Sequence, residues 1–140
     1  MLLVPISVGE LIDKITILKI KMEMIKDADK LLNVSKELTL LTRVFTDNIK
    51  EDNILNVLID QLFQVNQELW LIEDYKRACE KDQIFDSGFV DASRQVYQKN
   101  DLRASIKREI NRLTNSTIVE EKSFYLGGAI GSAAVSKIEG

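Results

Sequence analysis

Proline is almost absent from this chain, and that absence constrains the fold more than any other feature. The only proline among 140 residues is Pro5, and only six residues are glycine. Because proline and glycine are the main interruptions of helices, the chain after Pro5 can form long helices. With 45% hydrophobic and 29% charged residues, it has the composition of one soluble domain with a core of its own.

Two stretches near the N-terminus repeat apolar residues at alternating spacings of three and four. The first runs from Val8 to Ile25, and the second runs from Leu31 to Phe45. Ser7 is placed to cap the first helix and Asp29 to cap the second. Each stretch thus forms an apolar stripe along one side of a helix, here called a seam. Two seams of equal period joined by a short polar break predict an antiparallel helical hairpin. The first helix has apolar residues beyond one seam, so we expect it to contact more than one neighbour.

Downstream patterns predict three further helices. A long third helix is expected over residues 53–82, and its first half, Ile54–Val65, is apolar nearly all round. That distribution is typical of a buried helix, so we expect this half to be central. Two shorter helices follow, separated by a kink or a new cap at Asn100-Asp101. The fold class is therefore an all-α helical bundle.

Residues 117–126 mix β-branched, aromatic and charged side chains, and this mixture predicts an extended C-terminal strap. We expect the strap to anchor on the bundle through Ile118 or Val119 and through Phe124. Residues 127–140 are mostly small and uncharged. The predicted organisation is therefore a single domain over 1–126 followed by a small-residue tail.

Composition excludes several classes of function. The chain has no histidine, which removes the usual zinc ligand, the usual general base and any histidine-based triad. Its single cysteine, Cys79, cannot form an internal disulfide. A net charge of −3 argues against nucleic-acid binding. No apolar run is long enough to span a membrane, and no secretion signal is visible, so we expect a cytoplasmic protein without membrane contact.

Acidic residues on the third helix form the first candidate site. Glu73 and Asp74 lie four and three residues before Arg77, so both carboxylates can reach its guanidinium. One interpretation is a solvated face with ordinary ion pairs. The alternative is a Mg²⁺ site, because Mg²⁺ prefers oxygen ligands and needs no histidine. Glu10 and Asp13 on the first helix would supply its second pair of carboxylates, as in all-α nucleotide pyrophosphohydrolases.

Basic residues near the C-terminus form the second candidate site. Arg103 and Lys107 flank an apolar stripe, where they can meet a phosphate or carboxylate at the edge of the bundle. The alternative is a solvated basic face paired with the acidic stretch 80–91. Lys14 lies beside Asp13, and a buried pair of these two would indicate function. The charged residues of the strap are candidates for a latch onto Arg103 or Lys107; they are Glu120, Glu121 and Lys122.

Four sequence words also carry a resemblance. PISVGELIDKITILKIK, NQELWLIEDYKR, NDLRASIKREIN and VEEKSF occur in this order. They resemble a family of short, uncharacterised bacterial and viral proteins known as domain of unknown function 6165. The likeness covers residues 5 to about 124, so we expect the tail from Gly127 to lie outside it. It implies no activity, only that the polar residues of these words are shared. Those among the candidates are Asp13, Lys14, Glu73, Asp74, Arg77, Asn100, Arg103, Lys107, Glu120, Glu121 and Lys122.

Two hypotheses about function follow. The first is a non-enzymatic protein that acts through homodimerisation or partner binding, because the hairpin has more apolar positions than one seam needs. The second is an enzyme or binder of a small anionic ligand, either a Mg²⁺-dependent nucleotide hydrolase or a dicarboxylate site. Outside the Mg²⁺ alternative no cofactor is expected. The second hypothesis requires the charged residues of the first, third and last helices to converge on one cleft.

Overall fold

A computed structural model describes residues 1–123 of the chain, and it contains four α-helices. They are α1 (Val8–Met24), α2 (Ala28–Asn48), α3 (Asn53–Asp82) and α4 (Ser87–Leu113). The described residues contain no strand, so the predicted all-α fold is confirmed. None of these helices is both long and apolar enough to cross a membrane. The tail 127–140 and the boundary drawn at residue 126 lie outside the described residues.

The predicted break at Asn100-Asp101 is wrong, and the last two predicted helices are one. α4 runs through both residues without interruption. Asn and Asp each cost a helix at most about 0.7 kcal/mol relative to alanine, whereas proline costs about 3 kcal/mol. The positions Ala92, Val96, Ile106 and Ile110 continue one seam across this point, and packing on that seam overrides the local preference.

Each helix begins at a side chain that caps its free N–H groups. The N-cap residues are Ser7, Asp27, Asp52 and Asp86, and each accepts a hydrogen bond from the backbone N–H three residues later. The predicted cap at Asp29 is therefore wrong by two residues, because α2 already begins at Ala28. The cap at Ser7 is confirmed.

The centre of the bundle is α1 and not the first half of α3. The backbone of α1 approaches those of all three other helices, whereas the backbone of α2 approaches only that of α1. At the start of α3, Ile54 is 64% exposed and Val57 is 56% exposed. The prediction of a central first half is therefore confirmed only for one side of the helix, where Leu55, Leu62 and Val65 are buried in the core, because an all-round apolar pattern does not show which side has a neighbour.

α1 and α2 form the predicted antiparallel hairpin, since the early residues Ile12 and Ile15 of α1 share a cavity with Phe45 near the end of α2. The α2 seam Leu31–Phe45 is the side that is buried or half-buried. α4 runs antiparallel to α1, because Gly9 bonds to Asn111 while Asp13 bonds to Arg103. The helices α1 and α4 therefore cross the core in opposite directions.

A glycine permits the close approach of α1 and α4. A Cβ atom on Gly9 would lie 2.6 Å from the backbone oxygen of Lys107. No real side chain tolerates that distance to a backbone atom, so only glycine fits here. The same approach lets Gly9 N–H donate to Asn111 Oδ1 at 2.7 Å. The first helical turn of α1 is thereby fixed on the last turn of α4.

The segment that follows α4 does not anchor as predicted. Ile118 is 38% exposed and Val119 is 46% exposed, so the expected apolar anchors are wrong, and Phe124 lies outside the described residues. The segment contacts the bundle through polar atoms instead. Ser116 Oγ accepts a hydrogen bond from Val8 N–H at 3.1 Å, which satisfies one more free donor at the start of α1.

Candidate functional site

A buried carboxylate on α1 meets an arginine on α4 at the centre of the bundle. Asp13 is 1% exposed. The Nε atom of Arg103 donates to Asp13 Oδ1 at 2.9 Å, and a terminal nitrogen of the same guanidinium donates to Oδ2. This is the two-point arrangement that fixes a guanidinium most rigidly. Arg103 keeps 30% of its side chain exposed, so its outer edge reaches the surface.

Two further polar side chains complete the surroundings of this carboxylate. Asn66 on α3 donates from Nδ2 to Asp13 Oδ1 at 2.8 Å and to Thr16 Oγ1 at 2.9 Å. Thr16 in turn donates to the backbone oxygen of Asp13 at 2.7 Å. Because buried polar groups need partners, this network makes it possible for a charge to lie inside an apolar core. It also joins α1, α3 and α4 through one carboxylate.

The network keeps Asp13 ionised. Burial by itself would raise the pKa of Asp13, but the hydrogen bonds from Arg103 and Asn66 outweigh it, so the pKa lies below its usual value. The hydrogen bond to Asp13 likewise raises the pKa of Arg103. The pair is therefore an ion pair throughout the neutral range.

One turn along the same interface, a second set of charges meets at the start of α1. Lys107 donates to Glu10 Oε2 at 2.6 Å and to Glu120 Oε2 at 3.3 Å, and its Nζ lies 3.7 Å from Asp13 Oδ2. Burial would lower the pKa of Lys107, yet these carboxylates raise it. For Glu10, burial would raise the pKa, and the bond from Lys107 lowers it. Lys107 is thus the cation that joins α1, α4 and the C-terminal segment.

The outer edge of Arg103 lines a groove of about 300 Å³ between α3 and α4, here called the α3–α4 groove. Its apolar wall consists of Ile17, Leu69 and Trp70. Its polar wall consists of Asn66, Glu73, Asp74, Arg77, Asn100 and Arg103. Within the described residues, the side chains of Arg77, Asp74 and Asn100 have no hydrogen-bond or ion-pair partner. The groove therefore combines available polar groups with an apolar surface.

A second groove, of about 360 Å³, lies between α4 and the C-terminal segment and is here called the C-terminal groove. Arg103, Lys107, Arg108 and Asn111 line its α4 side, and Glu120, Glu121 and Lys122 line its other side. Glu121 accepts from Arg108 at 2.8 Å, and Lys122 lies 2.9 Å from Asp101. The two grooves share Asn100 and Arg103.

The structure brings most of the predicted site residues together. Asp13, Arg103, Lys107 and Glu120 form one connected network. The residues of α3 lie in the adjacent α3–α4 groove, and the remaining two strap residues line the C-terminal groove. Lys14 is the exception, because it points outward and lies 3.5 Å from Glu10 rather than against Asp13. In the described residues, no basic side chain of α4 pairs with the stretch 80–91, so that interpretation is wrong.

The carboxylates of the magnesium hypothesis are distributed between two places. Glu10 and Asp13 are held by Lys107 and Arg103, whereas Glu73 and Asp74 lie in the α3–α4 groove. Over residues 1–123, no three side chains of the metal-ligating types come together. Within the same residues, this arrangement gives a divalent cation no ready set of oxygen ligands.

Sequence reasoning missed the roles of four polar residues of this region. Three of them are Thr16, Asn66 and Asn111, and the fourth is Ser7, whose contact with Glu120 was not expected. The spacing of buried positions along α1 would have found Thr16. Gly9, Asp13, Thr16 and Ile20 follow each other at four, three and four residues, and all are buried. On α4, Arg103 occupies the seam between Val96 and Ile106. A polar residue at a seam position has to face the core, and it therefore needs a partner there.

Comparison with known proteins gives one family. The model of a family of unknown function (DUF6165) matches residues 2–137 of the chain. The match continues beyond residue 127, so the expectation that the tail lies outside the family is wrong. No curated protein matches the chain, and no solved structure matches it.

Proposed function

The chain belongs to DUF6165, a family whose function is unknown, and from the geometry of its side chains we propose that it binds a small organic anion in the α3–α4 groove. The ligand class is a carboxylate or phosphate with a flat apolar part. The observation that carries the proposal is Arg103, a cation fixed from behind by a buried carboxylate while its outer edge lines a groove.

Because Arg103 is already fixed, ligand binding costs less side-chain conformational entropy. An arginine on the surface loses rotamer freedom when it binds an anion, whereas Arg103 is already held by two hydrogen bonds to Asp13. Arg77 lines the same groove from α3 and has no partner within the described residues. Two guanidinium groups and the Asn100 amide thus provide donors for a carboxylate or phosphate.

The other walls of the groove limit the kind of anion. Trp70, Leu69 and Ile17 provide an apolar surface on which a flat group can lie. Glu73 and Asp74 are at the same groove and repel additional negative charge. A triphosphate is therefore disfavoured, and an aromatic carboxylate or a phosphate monoester with an amino or hydroxyl group fits better.

Trp70 supplies the assay, because it is the only tryptophan of the chain and lines the groove. Nucleoside monophosphates, sugar phosphates, aromatic carboxylates and dicarboxylates are titrated while tryptophan fluorescence is recorded, with and without Mg²⁺. We expect saturable changes with one of these classes. Arg77→Gln should weaken that binding about tenfold or more, the effect of losing a charged hydrogen bond.

The matched control is Arg94→Gln, which removes the same charge from an exposed position of α4 that lines neither groove. Equal weakening by both variants would indicate unspecific attraction and contradict the proposal. Absence of any saturable change across all four classes would contradict it as well. A requirement for Mg²⁺ would favour the hydrolase hypothesis instead.

A second candidate function is self-association through α2, and one observation favours it. Among the described residues, the backbone of α2 approaches only that of α1, and its outer face exposes Leu32, Leu40 and Val44. The natural occupant is a second copy, because an isologous pair of α2 helices would cover the same face on both protomers. Light scattering after size exclusion should then give a dimer that Leu40→Glu converts to a monomer, while Leu71→Glu on α3 does not. A monomer at micromolar concentration would exclude this candidate.

A further inference from the structure

The C-terminal segment 114–123 is held on the bundle mainly by charges. Glu120 accepts hydrogen bonds from Ser7 Oγ at 3.0 Å and from Lys107 Nζ at 3.3 Å. Glu121 accepts from Arg108 at 2.8 Å, and this pair is largely exposed. Since the apolar residues Ile118 and Val119 stay exposed, ion pairs account for much of the contact. Exposed ion pairs are weak and are screened by salt, so the segment is held reversibly.

Glu120 occupies the position that an external anion would take. Its carboxylate lies between the N-cap of α1 and a cation of α4, where the helix dipole also favours negative charge. Arg108 adds a guanidinium on the same side of the C-terminal groove. The C-terminal segment therefore provides, through Glu120, the negative charge that Lys107 and the start of α1 attract.

A buried donor in the same groove lacks a partner among residues 1–123. Asn111 is 2% exposed and lines the groove, and its Nδ2 has no hydrogen-bond partner among the described residues. The side-chain amide of Asn111 cannot be flipped to exchange its oxygen and nitrogen, because Oδ1 has to accept the 2.7 Å hydrogen bond from Gly9 N–H. Buried amide groups nearly always find a partner, so an unused donor indicates that something else provides the acceptor.

From these observations we infer that the C-terminal groove is a phosphate site, separate from the α3–α4 groove, and that Glu120 is its internal competitor. A phosphate group displaces Glu120 from Lys107 and Glu121 from Arg108, pairs with both cations, and offers a further oxygen as the acceptor for Asn111. Three terminal oxygens match three donors, whereas a carboxylate offers only two. The phosphate is either free or the end of a small phosphate monoester.

Calorimetric titration of the full chain with inorganic phosphate tests this inference. Glu120→Gln should tighten phosphate binding about three- to fivefold, the factor that corresponds to removing one exposed ion pair. Arg108→Gln should weaken it by a similar factor. Arg112→Gln is the matched control, because Arg112 lies one turn further along α4, pairs with Glu109 and does not line the groove. All three positions are exposed, so the variants should fold.

Further titrations distinguish free phosphate from a phosphate monoester as the ligand. They also distinguish the C-terminal groove from the α3–α4 groove as the site. Glycerol 3-phosphate should bind as well as phosphate if the site takes monoesters, and acetate should bind more weakly than either. Arg77→Gln should leave phosphate binding unchanged, so the inference holds even if the α3–α4 groove binds nothing. Unchanged affinity in Glu120→Gln, or equal weakening by Arg108→Gln and Arg112→Gln, would overturn it.

Discussion

Removing the charge of Asp13 is the sharpest test of the network that positions Arg103. Asp13→Asn keeps the size of the side chain but loses the ionic part of two hydrogen bonds from Arg103. Removing one partner of a buried ion pair costs about 3–5 kcal/mol. Because 30% of the Arg103 side chain is exposed and can be hydrated, we expect a cost just below that range, about 2–3 kcal/mol at pH 7.

Replacing the arginine of the pair should lower the free energy of unfolding more than replacing the aspartate. Arg103→Met leaves a carboxylate that is 1% exposed without its main counter-ion, whereas Asp13→Asn leaves an arginine that reaches water. We expect Arg103→Met to cost about 3–5 kcal/mol and the double variant to cost less than the sum of the two single variants. Urea unfolding followed by circular dichroism and by Trp70 fluorescence measures all three.

The dependence on pH gives an independent check. The pKa of Asp13 is lowered in the folded state, so its ionised form stabilises the fold above the unfolded pKa of about 3.9. That contribution is lost as the pH falls through the lower, folded pKa. The difference between the wild type and Asp13→Asn should therefore shrink as the pH is lowered from 7 into this acidic range.

The control is Glu68→Gln, which breaks a half-exposed ion pair with Lys99 and should cost less than about 1 kcal/mol. Two results would refute the reasoning. One is an Asp13→Asn variant as stable as the control variant at pH 7. The other is a loss of stability in Asp13→Asn that does not change with pH.

Three further predictions concern the bundle itself. Gly9→Ala should lower the free energy of unfolding by about 1–3 kcal/mol in urea denaturation, because its Cβ meets the backbone of Lys107, and a stability equal to the wild type would disprove that contact. Ile110→Ala should cost about 2–5 kcal/mol, because Ile110 is fully buried, while Leu102→Ala at a half-exposed position of the same helix should cost much less. Between pH 5 and 8 the melting temperature should stay nearly constant, since the chain contains no histidine.

Sequence patterns predicted the helices well because helix formation depends on local spacing. The hairpin seams and the cap at Ser7 follow from residues within a few positions of each other. The break at Asn100-Asp101 was predicted wrongly, because two weak helix formers were judged without the seam that continues past them. Tertiary packing on Ile106 and Ile110 decides that point.

The candidate residues could be named from sequence, but their partners could not. Arg103 and Asp13 are 90 residues apart, and nothing local relates them. Their meeting depends on the antiparallel approach of α1 and α4, which Gly9 allows. Residues chosen as near neighbours in sequence, such as Lys14 beside Asp13, proved to face in different directions on the helix.

The sequence by itself determined that this chain is helical, that α1 begins after Ser7 and which side of α2 is buried, because spacing and caps act over one or two turns. Only the tertiary structure decided that α1 is the centre, that α4 is continuous, and that one buried carboxylate fixes an arginine at the edge of two grooves. The physical reason is that burial depends on which helices meet, and each contact here joins residues on different helices across a large part of the chain.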